Sequence, residues 1–411
     1  MPSPRNARYN DVLTLPHVPL TFLSALVGRS AYALVILPLL FAVQATTGSV
    51  ATAGIAVAAY GVTASFLAPF RARLIDRHGR RPVLLLLAIA FGGVLVALAI
   101  GAFAAWSGPT MVVLAGLAGS VAPPLGPAMR VAWSELARKP ALLRKALSFD
   151  AVVEELLYIV GPAAAGFALV VIEPGLVLLV PAVLVILGTV LFVSSPAIRR
   201  TPCPEPAAET TVARSAARGR TLLGNTHFIG LLLPALVAGL VSGNLTIAIP
   251  AAFPGTEGAA AAGIVLGLFA GGSAVGGLVF GALRIPGHAR LQVIAIAVIL
   301  VVLSTAVGLT GNAVWMTVTV MAAGVFFSPV MIVAYFAAND FGGDQRKTES
   351  TTWVNTSHNI GAAAGSAMAG LVIEVAGVNE SFLAVGGTTV LLLMGASVLA
   401  YRRVNEFSLQ A

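Results

Sequence analysis

The 411 residues are 58% hydrophobic and only 10% charged, against about 25% charged in an ordinary soluble domain, so a soluble globular fold is excluded. The formal charge of +8 invites a nucleic-acid-binding reading, which the placement of the basic residues along the chain excludes below. A single cysteine, Cys203, excludes an intrachain disulfide. In chain order, the segment from Met1 to His17 is polar and lacks a small-residue cleavage site, so the apolar run after it is read as a retained membrane helix. Six apolar spans are expected at 18–43, 47–69, 82–105, 109–132, 147–172 and 175–195. A polar stretch rich in Pro and Arg follows, with Pro196, Pro202, Pro204, Pro206, Arg214, Arg218 and Arg220, and reads as a flexible linker. Six further spans are expected at 228–252, 258–283, 290–310, 313–337, 350–376 and 381–401. The expected fold is an all-α membrane protein of twelve transmembrane helices in two six-helix bundles, residues 1–194 and 228–411, joined by a cytoplasmic linker at 195–227.

With the first helix entering from the cytoplasm, the loops at 44–46, 106–108, 173–174, 253–257, 311–312 and 377–380 face outward and contain no Lys or Arg. All of the 24 basic residues except Arg29 lie on the opposite side or at its border. This bias predicts a multi-pass protein with both termini cytoplasmic, and it accounts for the positive charge as topology rather than as a nucleic-acid footprint. A loose internal repeat of about 200 residues is what two parallel six-helix halves would produce. Gly161 to Gly166 echoes Gly361 to Gly365, and Arg144-Lys145 echoes Arg346-Lys347.

The loop between the second and third spans reads Arg71-Ala-Arg-Leu-Ile-Asp76-Arg77-His-Gly79-Arg80-Arg81-Pro82. Orientation alone demands arginines there, but not an Asp and a Gly at this spacing. The loop resembles the signature of the major facilitator superfamily, Gly-x-x-x-Asp-Arg/Lys-x-Gly-Arg-Arg/Lys, with Asp76, Arg77, Gly79, Arg80 and Arg81 matching and Ala72 replacing the first glycine. The resemblance implies the major facilitator fold and a secondary transporter. It also implies that Asp76 sits against the N-terminus of the eleventh helix in one state, where a carboxylate satisfies free N–H groups and the helix dipole. The corresponding loop after the eighth span lacks the Asp, so one such clasp is expected. In the fifth span, Gly161, Pro162 and Gly166 are similar to the helix-5 motif of the superfamily's exporters, although close packing through small residues explains them equally well.

Arg29, Glu154 and Glu155 are charges inside apolar spans, and such charges face a partner or a wet cavity. Adjacent residues on a helix point about 100° apart. One glutamate is therefore expected to neutralise Arg29 while the other, with Glu155 favoured, carries a transported proton. The competing reading is a purely structural ion pair. His358 is the next candidate for a proton carrier, against a packing role that is preferred for it. Pro123, Pro124, Gly126 and Pro127 should break the fourth helix. Arg130, Asn244, Tyr335, Trp353 and Asn355 complete a thin set of cavity candidates.

No metal-ligand cluster, Gly-x-Ser-x-Gly turn or phosphate-cradling loop with Lys is present in the sequence, so an enzyme, a cofactor and direct use of ATP are not expected. The expectation is a monomeric, proton-coupled antiporter of the plasma (inner) membrane, acting in efflux of small organic compounds. A transporter of sugars or polar metabolites is the alternative, and a non-transporting sensor or scaffold ranks last.

Overall fold

A computed structural model of the chain describes residues 12–137, 139–199, 222–282 and 288–408. Most of the linker, Cys203 included, lies outside these residues. Among the described residues the chain is helical and contains no strand, as a bilayer requires of a chain that must satisfy its own backbone groups.

The first half comprises α1 (Val18–Thr47), α2 (Val50–Phe66), α3 (Ala68–His78), α4 (Arg80–Phe103), α5 (Gly108–Val121), α6 (Leu125–Leu136), α7 (Pro140–Val171), α8 (Pro174–Val177), α9 (Leu179–Ser194) and α10 (Pro196–Arg199). The second comprises a 3₁₀ turn at Leu222–Gly224, then α11 (Thr226–Ala252), α12 (Gly255–Ala282), α13 (Ala289–Val307), α14 (Ala313–Val375) and α15 (Val378–Ser408). One hydrophobic core gathers residues from Val12 to Ile198 together with Ile247, Ala259 and Ala369, and another gathers residues from Leu222 to Leu393.

Three departures from the expected spans have local causes. The second span bends by 43° at Leu67 and continues as α3. The signature loop is therefore mostly helical, and it turns only at Gly79, whose φ of 90° and ψ of 146° suit glycine alone. The fourth span is broken as its prolines demand, with Pro123 and Pro124 separating α5 from α6. Three carbonyls near these helix ends are satisfied by one buried guanidinium. Arg71 Nη1 donates to the Gly119 and Ser120 carbonyls at 2.9 Å each, and its Nη2 donates to the Ala64 carbonyl.

The expected tenth and eleventh spans form one continuous helix of 63 residues, α14. A straight helix would hold residues 20 apart about 30 Å from each other. Instead Tyr335 Oη donates to Asn355 Oδ1 at 3.4 Å, and the Phe327 and His358 rings meet at 5.6 Å between centroids. α14 thus folds back on itself into two arms. Among the described residues ten helices are long and apolar enough to cross a bilayer, or eleven if the bent α2–α3 pair is one span. The expected twelve is not reached on that measure, because the second arm of α14 carries Asn355, His358, Asn359 and Glu374.

The halves meet along two helix pairs, α2 with the second arm of α14 and α7 with α12. Contact is closest at the end away from the basic loops. A Cβ on Gly54 would lie 2.6 Å from the Ser366 carbonyl oxygen, and one on Gly267 would lie 2.6 Å from that of Ile159. Two turns nearer the basic end, Gly61 on α2 has nothing within 4 Å, and one turn on from Gly267, neither has Gly271 on α12. At these glycines the two helix pairs approach more closely toward the non-basic end than toward the basic end.

Candidate transport site

α1, α6 and α7 bring four charges together inside the first half. Arg29 is 3% exposed, and its Nη1 donates to Asp150 Oδ1 at 2.7 Å. Its Nη2 contacts Glu154 Oε2 at 3.0 Å, an ion-pair contact without hydrogen-bond alignment. Arg130 Nη2 donates to the same Glu154 oxygen at 3.0 Å. The cluster holds two positive and two negative charges, so it is neutral as a whole. Its members differ in access: the Asp150 side chain is 2% exposed, that of Glu154 25% and that of Arg130 56%. Asp150 is sealed against Arg29, whereas Glu154 faces the open space and answers to two arginines.

This corrects the expected pairing. Arg29 does meet one of the two adjacent glutamates, Glu154, but its shorter contact is to Asp150, which was not expected. Asp150 was missed because it lies near the expected start of the span at 147. The helix actually starts at Pro140, which puts Asp150 three turns in, and it stacks one turn below Glu154 on the same face. The four-residue spacing of Asp150, Glu154 and Tyr158 was the available signal. The Glu155 side chain lies outside the described residues.

The remaining candidates fall in separate places. Asp76 lies on α3, and its side chain is outside the described residues, as are the side chains of residues 342–349 just before the second arm of α14. Arg80 Nη2 pairs with Glu135 Oε1 at 2.9 Å, tying the signature turn to the end of α6. Arg77 and Arg81 are exposed. Gly161 packs against Ala33 of α1, Gly166 against the Ala259 carbonyl, and the Pro162 carbonyl against Gly263. Gly166 and Pro162 thereby form the close crossing of α7 over α12.

On the other half, Tyr335 and Asn355 share a hydrogen bond across the two arms of α14. His358 Nδ1 lies 3.3 Å from Asn359 Oδ1, its ring packs edge-on against Phe327, and its buried Nε2 has no partner among the described residues. Trp353 packs against the second core. Asn244, expected at a cavity, is instead fully buried in α11, and neither end of its amide has a partner among the described residues.

The sequence profile described as the Major Facilitator Superfamily matches residues 20–283, most of the chain. This chain belongs to the Major Facilitator Superfamily. As a member of that superfamily it is a multi-pass, membrane-embedded transporter of small molecules. No curated protein matches it by sequence. Solved structures share its fold at low identity. The nucleoside transporter NupG (D323A mutant) is 12% identical with a TM-score of 0.72, covering 92% of this chain and 99% of that one. A POT family peptide transporter in an auto-inhibited form is 13% identical with a TM-score of 0.70, covering 94% and 97%. A D-xylose-proton symporter is 12% identical with a TM-score of 0.67, covering 92% and 97%.

Proposed function

We propose that this transporter is a proton-coupled exporter of small organic compounds, working as a monomer in the inner membrane with both termini cytoplasmic. The observation that carries the proton reading is the position of Glu154. A carboxylate that reaches the open space and is shared by two arginines changes the charge of the whole cluster when it takes a proton. Protonation of Glu154 would leave the cluster one charge positive and release its hold on Arg130. Asp150 would keep its bond to Arg29 and hold α1 and α7 together. The two carboxylates thus divide the structural and coupling roles that the sequence had assigned to Glu154 and Glu155.

The direction, export, rests on the resemblance of the Gly161-Pro162 stretch to the helix-5 motif of exporters. The thin polar set around the site suits compounds with a large apolar body. The placement of the termini rests on the absence of Lys and Arg from the loops at the non-basic end.

The test uses inverted membrane vesicles with an imposed pH gradient and a panel of dyes, antibiotics and sugars. Glu154→Gln is expected to fold, to lose gradient-driven transport and to keep substrate exchange at equal pH. If Glu154→Gln retains gradient-driven transport, the proton reading at this residue fails, and Glu155 and His358 are the carboxylate and imidazole to examine next.

A further inference from the structure

One ionisable group joins the two halves at the non-basic end, and the transport site does not use it. Glu374 lies near the end of the second arm of α14, in the second half of the chain. Its Oε2 accepts a hydrogen bond from Ser49 Oγ at 2.6 Å and another from the Ala51 backbone N–H at 2.9 Å. Both donors belong to the first half, at the start of α2. Ser49 is the N-cap of α2 and at the same time accepts from the Thr52 N–H at 3.0 Å. The carboxylate therefore completes the capping of a helix in the opposite half, where free N–H groups and the helix dipole favour a negative charge. No cation pairs with Glu374 among the described residues. Beside it the two backbones touch: a Cβ on Gly370 would lie 2.8 Å from the Val50 carbonyl oxygen.

We infer that Glu374 is the latch of the gate at the non-basic end. Alternating access needs the halves to separate there and close at the basic end. Separation of α2 from the second arm breaks both hydrogen bonds at once and leaves the start of α2 uncapped by that carboxylate. The latch is polar, small and exposed to water, so it opens without burying an unpaired charge. The Asp76 clasp expected from the sequence would be its counterpart at the basic end, a second carboxylate-to-helix-start contact. The two contacts belong to opposite states, because each forms only when its own end is closed.

Two single-cysteine reporters on a Cys203→Ser background test this in membrane vesicles. Ala369→Cys is placed at a position in the second half that is fully buried against the core of the first. Gly61→Cys reports on the open space at the basic end. Glu374→Ala is expected to raise labelling at position 369, and lower it at 61, by about 3- to 10-fold, the weight of one or two exposed hydrogen bonds. Ser49→Ala should produce part of the same shift and add little to Glu374→Ala, because the two changes break one contact. Asp76→Asn should shift labelling the opposite way. Glu374→Gln serves where the alanine variant accumulates poorly, with a smaller shift in the same direction. Unchanged labelling at both positions in folded Glu374→Ala and Glu374→Gln protein overturns the latch.

Discussion

The cost of Arg29 lies in its burial. An arginine that is 3% exposed within membrane-spanning helices is tolerable only while a carboxylate stands beside it, and breaking such a pair costs about 3–5 kcal/mol. Asp150 is the carboxylate with no other partner among the described residues and only 2% exposure, so Asp150→Leu should lower the folded yield and the thermal unfolding temperature in detergent. Replacing both members, Arg29→Leu with Asp150→Leu, should restore most of the loss, because an apolar pair leaves no uncompensated charge. Equal destabilisation in the single and double variants would show that the pair serves something beyond neutralisation. Arg71 is the other buried guanidinium, and it works differently. It has no carboxylate partner among the described residues and spends its donors on carbonyls near the ends of α2 and α5. The sequence presented Arg71 as one more basic residue of a cytoplasmic loop, since nothing in a linear pattern shows which carbonyls a proline break exposes.

At the scale of helices, glycines decide how closely the halves approach. The crossing of α7 and α12 puts Gly263 directly against the Pro162 carbonyl and Gly166 against that of Ala259. Neither position has room for a side chain, and backbone cannot shift away as the end of a long side chain can. Gly263→Val should force α7 and α12 apart at the non-basic end and raise labelling of Ala369→Cys from that side, with the first-half core intact. A normal labelling pattern together with wild-type transport would mean the crossing can relax without opening. The small-residue packing of the fifth span was legible in the sequence, as was the proline break of the fourth span. The fold-back of α14 was legible as two spans but not as one continuous helix. The sequence between its arms carries no proline to end the first arm, and the first arm packs on α12 while the second packs on α11.

For the whole molecule, the decisive prediction is orientation. Cysteines placed singly at Gly255 and Asn379 should react with a membrane-impermeant reagent applied from the periplasm, and the native Cys203 should not. The reverse pattern would invert the molecule, and with it the assignment of the non-basic end to the outside.

What the sequence determined by itself is whatever depends on composition and local order. The membrane class follows from long apolar runs, and the family from the signature around Asp76 and Gly79. These are one-dimensional properties, since a bilayer selects on hydropathy and a turn on backbone angles. Tertiary structure alone decided which carboxylate Arg29 meets, that Glu154 is shared with Arg130, that Asn244 is buried, and that Glu374 reaches across to Ser49. Each depends on helix rotation and on contacts between residues as far as 325 apart in sequence. Rotation is set by how glycines and side chains of neighbouring helices interlock, and no pattern along one chain encodes it.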